Sequence, residues 1–129
     1  MRVKKIYLCG ITGKPPHREI RKTAIGASES VDWEHKNNAS EILTKYRDLG
    51  YEIIAVEQTS SSVSLEKYQL KNKNILLVFG NEINGVSQKL VDLCDFSIEI
   101  PQWGTKHSMN ISVSVGMVLW NIKKLLLLK

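Results

Sequence analysis

A short apolar run that ends in a glycine-rich loop constrains the fold of this chain most strongly. The run is 75–79 (ILLVF), and the loop that follows is 80–85 (GNEING), before a helical segment that starts near Ser87. An almost wholly apolar strand of this length is typical of a central strand in a parallel sheet covered on both faces. Open α/β sheets bind small molecules at the carboxyl ends of such strands, so the loop is the first candidate binding element.

Strand and helix patterns alternate along the chain, which predicts an α/β fold with a mostly parallel sheet and helices on both faces. Predicted strands cover residues 6–10, 51–57, 75–79 and 96–100, with an edge strand at 31–35. Predicted helices cover residues 17–27, 40–49, 87–94 and 110–128, with a helical turn or two at 65–70. No internal repeat or linker divides the 129 residues, so we expect a single domain, 1–129.

Composition excludes several classes of protein. The two cysteines, Cys9 and Cys94, form neither a disulfide framework nor a metal-ligand pattern, and each is interpreted as a small buried apolar residue. The chain opens with no signal-peptide pattern, and none of its apolar runs is long enough to cross a bilayer. We therefore expect a soluble cytoplasmic protein with no metal and no membrane partner.

The net charge of +5 comes largely from the first part of the chain. Residues 1–22 contain one acid, Glu19, and an early basic cluster: Arg2, Lys4, Lys5, Lys14, Arg18, Arg21 and Lys22. Clustered Lys and Arg favour a polyanionic partner such as RNA, because they neutralise phosphates and release counterions. A solvated basic surface explains this charge equally well.

The glycine loop lacks the features of the common nucleotide-binding motifs. Its glycine spacing matches a phosphate-binding P-loop, but Val86 and Ser87 stand where that motif requires Lys and then Ser or Thr. The segment 10–15 fails as well, and a dinucleotide fingerprint is missing. Neither a nucleotide triphosphatase nor a dehydrogenase is supported, and the three histidines stand in contexts that form no catalytic triad.

Several polar and aromatic residues have two interpretations. Glu82 either contacts a ligand or caps the helix near Ser87, and position alone favours the cap. Ser108 and Asn110 face the same choice at the start of the final helix. Among the tryptophans, Trp103 lies in a predicted loop and is the better candidate for stacking on bases, whereas Trp120 is mid-helix and is predicted to be core.

Two segments, taken in order, resemble the motifs of the SpoU family of RNA ribose methyltransferases in the SPOUT superfamily. Residues 77–87 (LVFGNEINGVS) match the second family motif, and residues 98–116 (IEIPQWGTKHSMNISVSVG) match the third. Residues 6–33 also resemble a branch of the family. The resemblance implies a deep trefoil knot near the C-terminus, a bent S-adenosylmethionine (SAM) cofactor held by the knot loops, and a homodimer.

The resemblance also implies roles for individual residues. The cofactor-binding residues would be Gln58, Gly80, Ile100, Gly104 and Met109. The polar positions that order the catalytic pocket would be Glu82, Ser108 and Asn110. An RNA substrate would contact four members of the early basic cluster and one aromatic residue: Lys14, Arg18, Arg21, Lys22 and Trp103.

The implied reaction is attack of a ribose 2′-hydroxyl on the SAM methyl group. The family assigns a proton-removing or orienting role to an arginine in its first motif, six residues after an asparagine. That motif would lie upstream of Ile6, and the residues six before Arg18 and Arg21 are Thr12 and Pro15. We therefore expect an N-terminally shortened family domain that lacks the first strand and helix.

Three hypotheses follow for the function. The first is a SAM-dependent RNA 2′-O-ribose methyltransferase of SpoU type that acts on tRNA or rRNA. The second is a catalytically inactive remnant that binds RNA or SAM without methyl transfer. The third is an unrelated α/β protein that binds another nucleotide, and it predicts no affinity for SAM.

Overall fold

The computed structural model of the protein describes residues 5–9, 32–80, 85–101 and 111–127. The chain forms two compact units, Met1–Glu41 and Ile42–Lys129. In the first unit, strand β1 (Lys5–Cys9) pairs in parallel with β2 (Asp32–Lys36), and Lys5 lies opposite Asp32 in the register. The strand expected at 31–35 is therefore confirmed, whereas the helix predicted at 17–27 lies outside the described residues.

An exposed acid in this small sheet bridges two lysines. The Glu34 carboxylate lies 2.8 Å from Nζ of Lys5 and 2.7 Å from Nζ of Lys36. The hydrogen bond from Lys36 and then that from Lys5 lower the pKa of Glu34 to about 2. Exposed ion pairs of this kind add little to stability. Lys5 belongs to the early basic cluster, and its charge is partly balanced by Glu34. A count of charges along the sequence does not reveal this pairing.

The remaining elements form a second, larger sheet with its helices. They are α1 (Ala39–Asp48), β3 (Glu52–Val56), β4 (Val63–Ser64), a 3-10 helix (Leu65–Lys67), β5 (Ile75–Phe79), α2 (Gln88–Leu93), β6 (Phe96–Glu99) and α3 (Ile111–Leu127). The sheet order is β4-β6-β3-β5, and every neighbouring pair is parallel. The predicted α/β class with a parallel sheet is confirmed, and most element bounds differ from the expected ones by a residue or two.

The strand at 75–79 forms where the sequence predicts it, but the part of the sheet that the structure describes does not place it centrally. In the four-stranded sheet that the structure describes, β5 is an edge strand and its residues are all partly buried. The interior strands are β6 and β3, and the β3 residues Ile53, Ile54 and Ala55 have no exposed surface. An apolar run indicates that a strand is covered, but the order of strands depends on pairings that are distant in sequence.

The core joins one face of this sheet to the final helix. Ile54 of β3 and Ile98 of β6 pack with Val118 and Ile122 of α3. The segment after β4 completes the cluster with Leu65, Tyr68 and Leu70. Burying each large apolar side chain contributes about 1.5–3 kcal/mol, so this cluster fixes α3 against the sheet. A hydrogen bond from Asn121 Nδ2 to the Leu65 carbonyl, 3.4 Å long, adds a polar contact at the same junction.

The predicted burial of Trp120 was wrong. Trp120 is 64% exposed, and Val113 and Met117 on the same side of α3 are 51% and 42% exposed. The helix carries apolar residues on nearly all sides, so its sequence does not identify the face that packs on the sheet. Val118 and Ile122 occupy that face instead, and α3 presents an apolar stripe to solvent. Among the described residues, no helix is long and apolar enough to span a membrane.

Burial protects the thiol of Cys94, and we expect it to react slowly. Its Sγ donates to the Leu90 carbonyl at 3.2 Å, and burial, followed by the nearby Asp95 carboxylate, raises its pKa to about 11. Because the thiolate is the reactive form, alkylation by iodoacetamide at pH 8 should be about hundred-fold slower than in the urea-unfolded chain. The thiol also favours folding below pH 9, and this contribution should disappear as the pH rises through about 11.

Mass spectrometry of the labelled Cys94 peptide would measure this rate between pH 7 and pH 11. The same peptide from the unfolded chain is the internal control, since it has the same local sequence without the burial. Equal rates in the folded and unfolded chains would contradict the account of Cys94 given by the structure.

Candidate functional site

Three of the predicted cofactor residues lie at one edge of the larger sheet. Gln58 comes two residues after β3, Gly80 directly follows β5, and Ile100 directly follows β6. Because β6, β3 and β5 are parallel neighbours, their carboxyl ends meet at the same edge. This is the edge at which open α/β sheets bind small molecules. The structure therefore brings these three residues to a common edge, as expected.

The other predicted site residues lie outside the described part of the chain. This applies to two cofactor residues, Gly104 and Met109, and to the pocket residues Glu82, Ser108 and Asn110. It applies as well to the residues predicted to contact RNA: Lys14, Arg18, Arg21, Lys22 and Trp103. Their roles stay predictions, as does their proximity to the sheet edge.

Gly80 lies directly against the backbone of Gly85 and Val86. A Cβ atom at Gly80 would lie 2.0 Å from the carbonyl carbon of Gly85 and 2.2 Å from the Val86 nitrogen. Gly85 has a φ of 65°, in the left-handed region that favours glycine. Both glycines are therefore required by the shape of the loop. The sequence matches the glycine spacing of a P-loop but lacks its lysine, and in the structure these glycines allow the close approach of Gly80 to Gly85.

Glu57 is a site residue that sequence reasoning missed. Its Oε2 accepts a hydrogen bond from the Val86 N–H at 2.7 Å, and its Oε1 accepts one from the Gln58 N–H at 3.2 Å. Its own N–H donates to the Ile98 carbonyl at 3.0 Å. A signal was present, because an acid follows the apolar strand directly at the predicted binding edge.

A second carboxylate lies at the same edge, at the end of β6. Oε1 of Glu99 is 3.0 Å from the Ser62 hydroxyl, which is also 2.9 Å from the Thr59 carbonyl. These contacts tie the loop after β3 to the end of β6. The edge thus carries two carboxylates, Glu57 and Glu99. Such an edge is suited to a ligand with cationic or hydroxyl groups and is unfavourable for a phosphate.

Ser87 is the residue that caps α2. Its side chain accepts a hydrogen bond from the Leu90 N–H at 3.3 Å, with extended backbone angles at the cap. Capping of α2 therefore does not require Glu82. This weakens the capping interpretation that position alone favoured, although Glu82 itself lies outside the described residues.

A parallel sheet with a glycine loop and carboxylates at its carboxyl edge defines the class: an α/β protein with a candidate small-molecule site at that edge. Comparison with known proteins identifies the family. The model of the SpoU rRNA Methylase family matches residues 1–120. The chain belongs to this family, and the resemblance drawn from the two motifs is confirmed.

Individual relatives agree with this assignment. The chain is 30% identical over 114 residues to a tRNA (guanosine(18)-2′-O)-methyltransferase of Aquifex aeolicus, covering 84% of this chain and 54% of the relative. It is 34% identical over 110 residues to the 23S rRNA (guanosine-2′-O-)-methyltransferase RlmB of Neisseria meningitidis serogroup B, covering 85% of this chain and 43% of the relative. The chain thus spans about half the length of these curated relatives.

Solved structures share the fold. The A. aeolicus TrmH/SpoU tRNA modifying enzyme is 27% identical with a TM-score of 0.78, covering 95% of this chain and 61% of that one. An rRNA methyltransferase from Sinorhizobium meliloti is 23% identical with a TM-score of 0.81, covering 94% of this chain and 46% of that one. At the lower identity, the likeness supports the fold alone.

Proposed function

We propose that this chain is a SpoU-type domain that transfers a methyl group from SAM to a ribose 2′-hydroxyl of tRNA or rRNA. The observation that carries the proposal is the carboxyl edge of the sheet, where Gln58, Gly80 and Ile100 lie beside two carboxylates. The matched relatives are tRNA and rRNA 2′-O-methyltransferases, which supports the same reaction for this chain.

The chemistry of the edge fits SAM better than a nucleotide phosphate. SAM carries a sulfonium and an ammonium group together with ribose hydroxyls, and it has no phosphate. Two acidic side chains at the edge, Glu57 and Glu99, are unfavourable for a phosphate, and the loop 80–85 lacks the lysine that a P-loop requires. The S. meliloti neighbour, which shares the fold, was crystallised with AdoMet bound. Gln58, Gly80, Ile100, Gly104 and Met109 would hold the cofactor, which supplies an activated methyl group.

The protein has to align the ribose hydroxyl and assist the loss of one proton. We assign Glu82, Ser108 and Asn110 to ordering this pocket, on the strength of the matched motifs. Residues 1–129 contain no asparagine six positions before an arginine, so no group of this sequence is assigned to proton removal. For the RNA, we propose phosphate contacts by Lys14, Arg18, Arg21 and Lys22, and base stacking on Trp103.

We also propose the finer features of the fold that the family implies. These are a single methyltransferase domain over 1–129, helices on both sheet faces and a trefoil knot near the C-terminus, supported by the fold match to SpoU structures. A homodimer is supported by the exposed apolar stripe on α3, where Trp120 is 64% and Leu127 73% exposed. Large exposed apolar residues on one helix side are typical of an interaction surface.

Methyl transfer from radiolabelled SAM to purified tRNA and rRNA tests the function directly. Nuclease digestion and chromatography of the product should show label in 2′-O-methylated nucleotides. Binding of RNA and S-adenosylhomocysteine (SAH) without any transfer would overturn the enzymatic proposal. It would instead favour the binding-only hypothesis.

Replacing Asn110 with alanine should weaken SAH binding about ten-fold while the melting temperature stays the same. The reason is that alanine removes the amide that we propose hydrogen-bonds in the pocket, and the net value of such bonds is about 1.5 kcal/mol. Calorimetric titration and a thermal melt of each variant measure the two quantities. Asn37→Ala is the matched control, because Asn37 is exposed and distant in sequence from Asn110. Unchanged affinity in Asn110→Ala would remove Asn110 from the site.

A further inference from the structure

We propose that Glu57 is a positioning residue for this site, because its carboxylate holds Gly85 and Val86 against Gly80, a residue proposed to bind the cofactor. The role rests on the proposed function, since SAM or SAH is the ligand whose affinity reports the shape of the loop. Neither the motifs nor the names of the relatives assign a role to Glu57.

Glu57 connects three neighbouring strand ends through its hydrogen bonds. Its backbone N–H donates to the Ile98 carbonyl at 3.0 Å, which anchors the residue on β6. Its Oε2 reaches the Val86 N–H at 2.7 Å, on the far side of β3 and just past the loop that follows β5. Its Oε1 accepts from the Gln58 N–H at 3.2 Å, which fixes the start of the next loop. One side chain therefore links the glycine loop to the backbone of Gln58.

The sterics of the loop show how closely the carboxylate fits. A Cβ atom at Gly85 would lie 2.3 Å from Oε2 of Glu57, well inside van der Waals contact. Gly85 and Val86 also form the surface against which Gly80 packs. The carboxylate thus holds the segment that closes the loop against Gly80. Loss of this contact would release the loop end beside two predicted cofactor residues.

The acidic side chain has properties that other residues would lack here. A carboxylate has two acceptor oxygens and can accept from both N–H groups, whereas a glutamine amide has one acceptor oxygen and a donor. Hydrogen bonds to a charged acceptor are also stronger than neutral ones. Val86 is 8% exposed, so its N–H would be costly to leave without an acceptor. A glutamine at position 57 should therefore keep part of the contact with Val86 and Gln58, whereas an alanine should keep none of it.

Calorimetric titration with SAH of the full chain tests this role. We expect SAH affinity to fall about ten- to hundred-fold in Glu57→Ala and by an intermediate factor in Glu57→Gln. The number of sites per chain should stay constant, because a looser loop raises Kd whereas a partly unfolded sample lowers the stoichiometry. Glu66→Gln removes the same charge from an exposed position in the 3-10 helix, and it should bind like wild type.

A double-mutant cycle isolates the contact between Glu57 and Gly85. In the wild-type background, Gly85→Ala introduces both an unfavourable φ and the clash with Oε2. In the Glu57→Ala background the clash is absent, so the second substitution should cost less. We expect the affinity loss of the double variant to be at least about three-fold smaller than the product of the single losses. Multiplicative losses would overturn the proposed contact.

Amide hydrogen exchange needs no ligand, so it tests the role of Glu57 even if the Glu57→Ala variant does not fold. Amide hydrogen exchange at Val86 should be about ten-fold faster in Glu57→Gln than in wild type, and equal exchange would overturn the inference. If the wild-type chain binds SAH and a folded Glu57→Ala variant binds it with the same affinity, the role of Glu57 would be overturned. The proposed function would still stand. Absence of SAH binding by the folded wild-type chain would overturn the proposed function and, with it, the role of Glu57.

Discussion

The Gly80→Ala variant is expected to bind SAH about hundred-fold more weakly than the wild-type chain. The added Cβ would lie 2.0 Å from the Gly85 carbonyl carbon and 2.2 Å from the Val86 nitrogen, both of them backbone atoms. Backbone atoms cannot rotate away, so the two ends of the loop must separate. Overpacking of this kind costs about 1–3 kcal/mol, and here the cost falls on the loop that carries the proposed site.

A second glycine substitution in the same unit provides the matched control. At Gly116, inside α3, an added Cβ would meet nothing within 4 Å. Gly116→Ala should keep wild-type affinity and gain up to about 1 kcal/mol of stability from the better helix propensity of alanine. Titration of both variants with SAH and a thermal melt separate the two outcomes. Wild-type affinity in Gly80→Ala would mean that the closed loop is not needed for the site.

The Ile54→Ala variant is expected to lose about 2–5 kcal/mol of unfolding free energy. Ile54 has no exposed surface, and it packs in the cluster that joins β3 and β6 to α3. Removing its side chain forfeits the burial of three carbon atoms and leaves a cavity that the surrounding sheet and helix cannot fill completely. Since domains of this size are stable by about 5–15 kcal/mol, the loss would be a large fraction of the total.

Urea denaturation followed by circular dichroism measures this loss. Leu49→Ala is the control, because Leu49 is 61% exposed in the turn after α1 and its truncation should change the free energy by about 0.5 kcal/mol or less. If Ile54→Ala were as stable as Leu49→Ala, the packing of α3 on the sheet described above would be wrong.

Local patterns were sufficient to predict the elements of the larger sheet. The apolar runs at 51–57, 75–79 and 96–100 each form a strand, and their ends lie at the carboxyl edge of one sheet. The resemblance to the SpoU family assigned Gln58, Gly80 and Ile100 to the cofactor, and their positions at strand ends predict that they share one edge of the sheet. Parallel pairing then brought them together.

The features that the sequence did not predict depend on contacts between distant residues. The edge position of β5 depends on which strands pair, and β3 pairs with both β5 and β6. The exposure of Trp120 depends on which side of an apolar helix meets the sheet. The role of Glu57 depends on a hydrogen bond to Val86, 29 residues away. Such contacts leave no periodic signal, so a residue pattern read along the chain does not show them.

The central claim is that the carboxyl edge of the larger sheet binds SAM, and calorimetric titration of the chain with SAH tests it most directly. We predict saturable binding near one site per chain, and no heat from ATP or NAD at the same concentration, since the glycine loop lacks the lysine of a phosphate clamp. A chain that is folded by circular dichroism and binds no SAH, or that binds ATP in its place, would contradict the account.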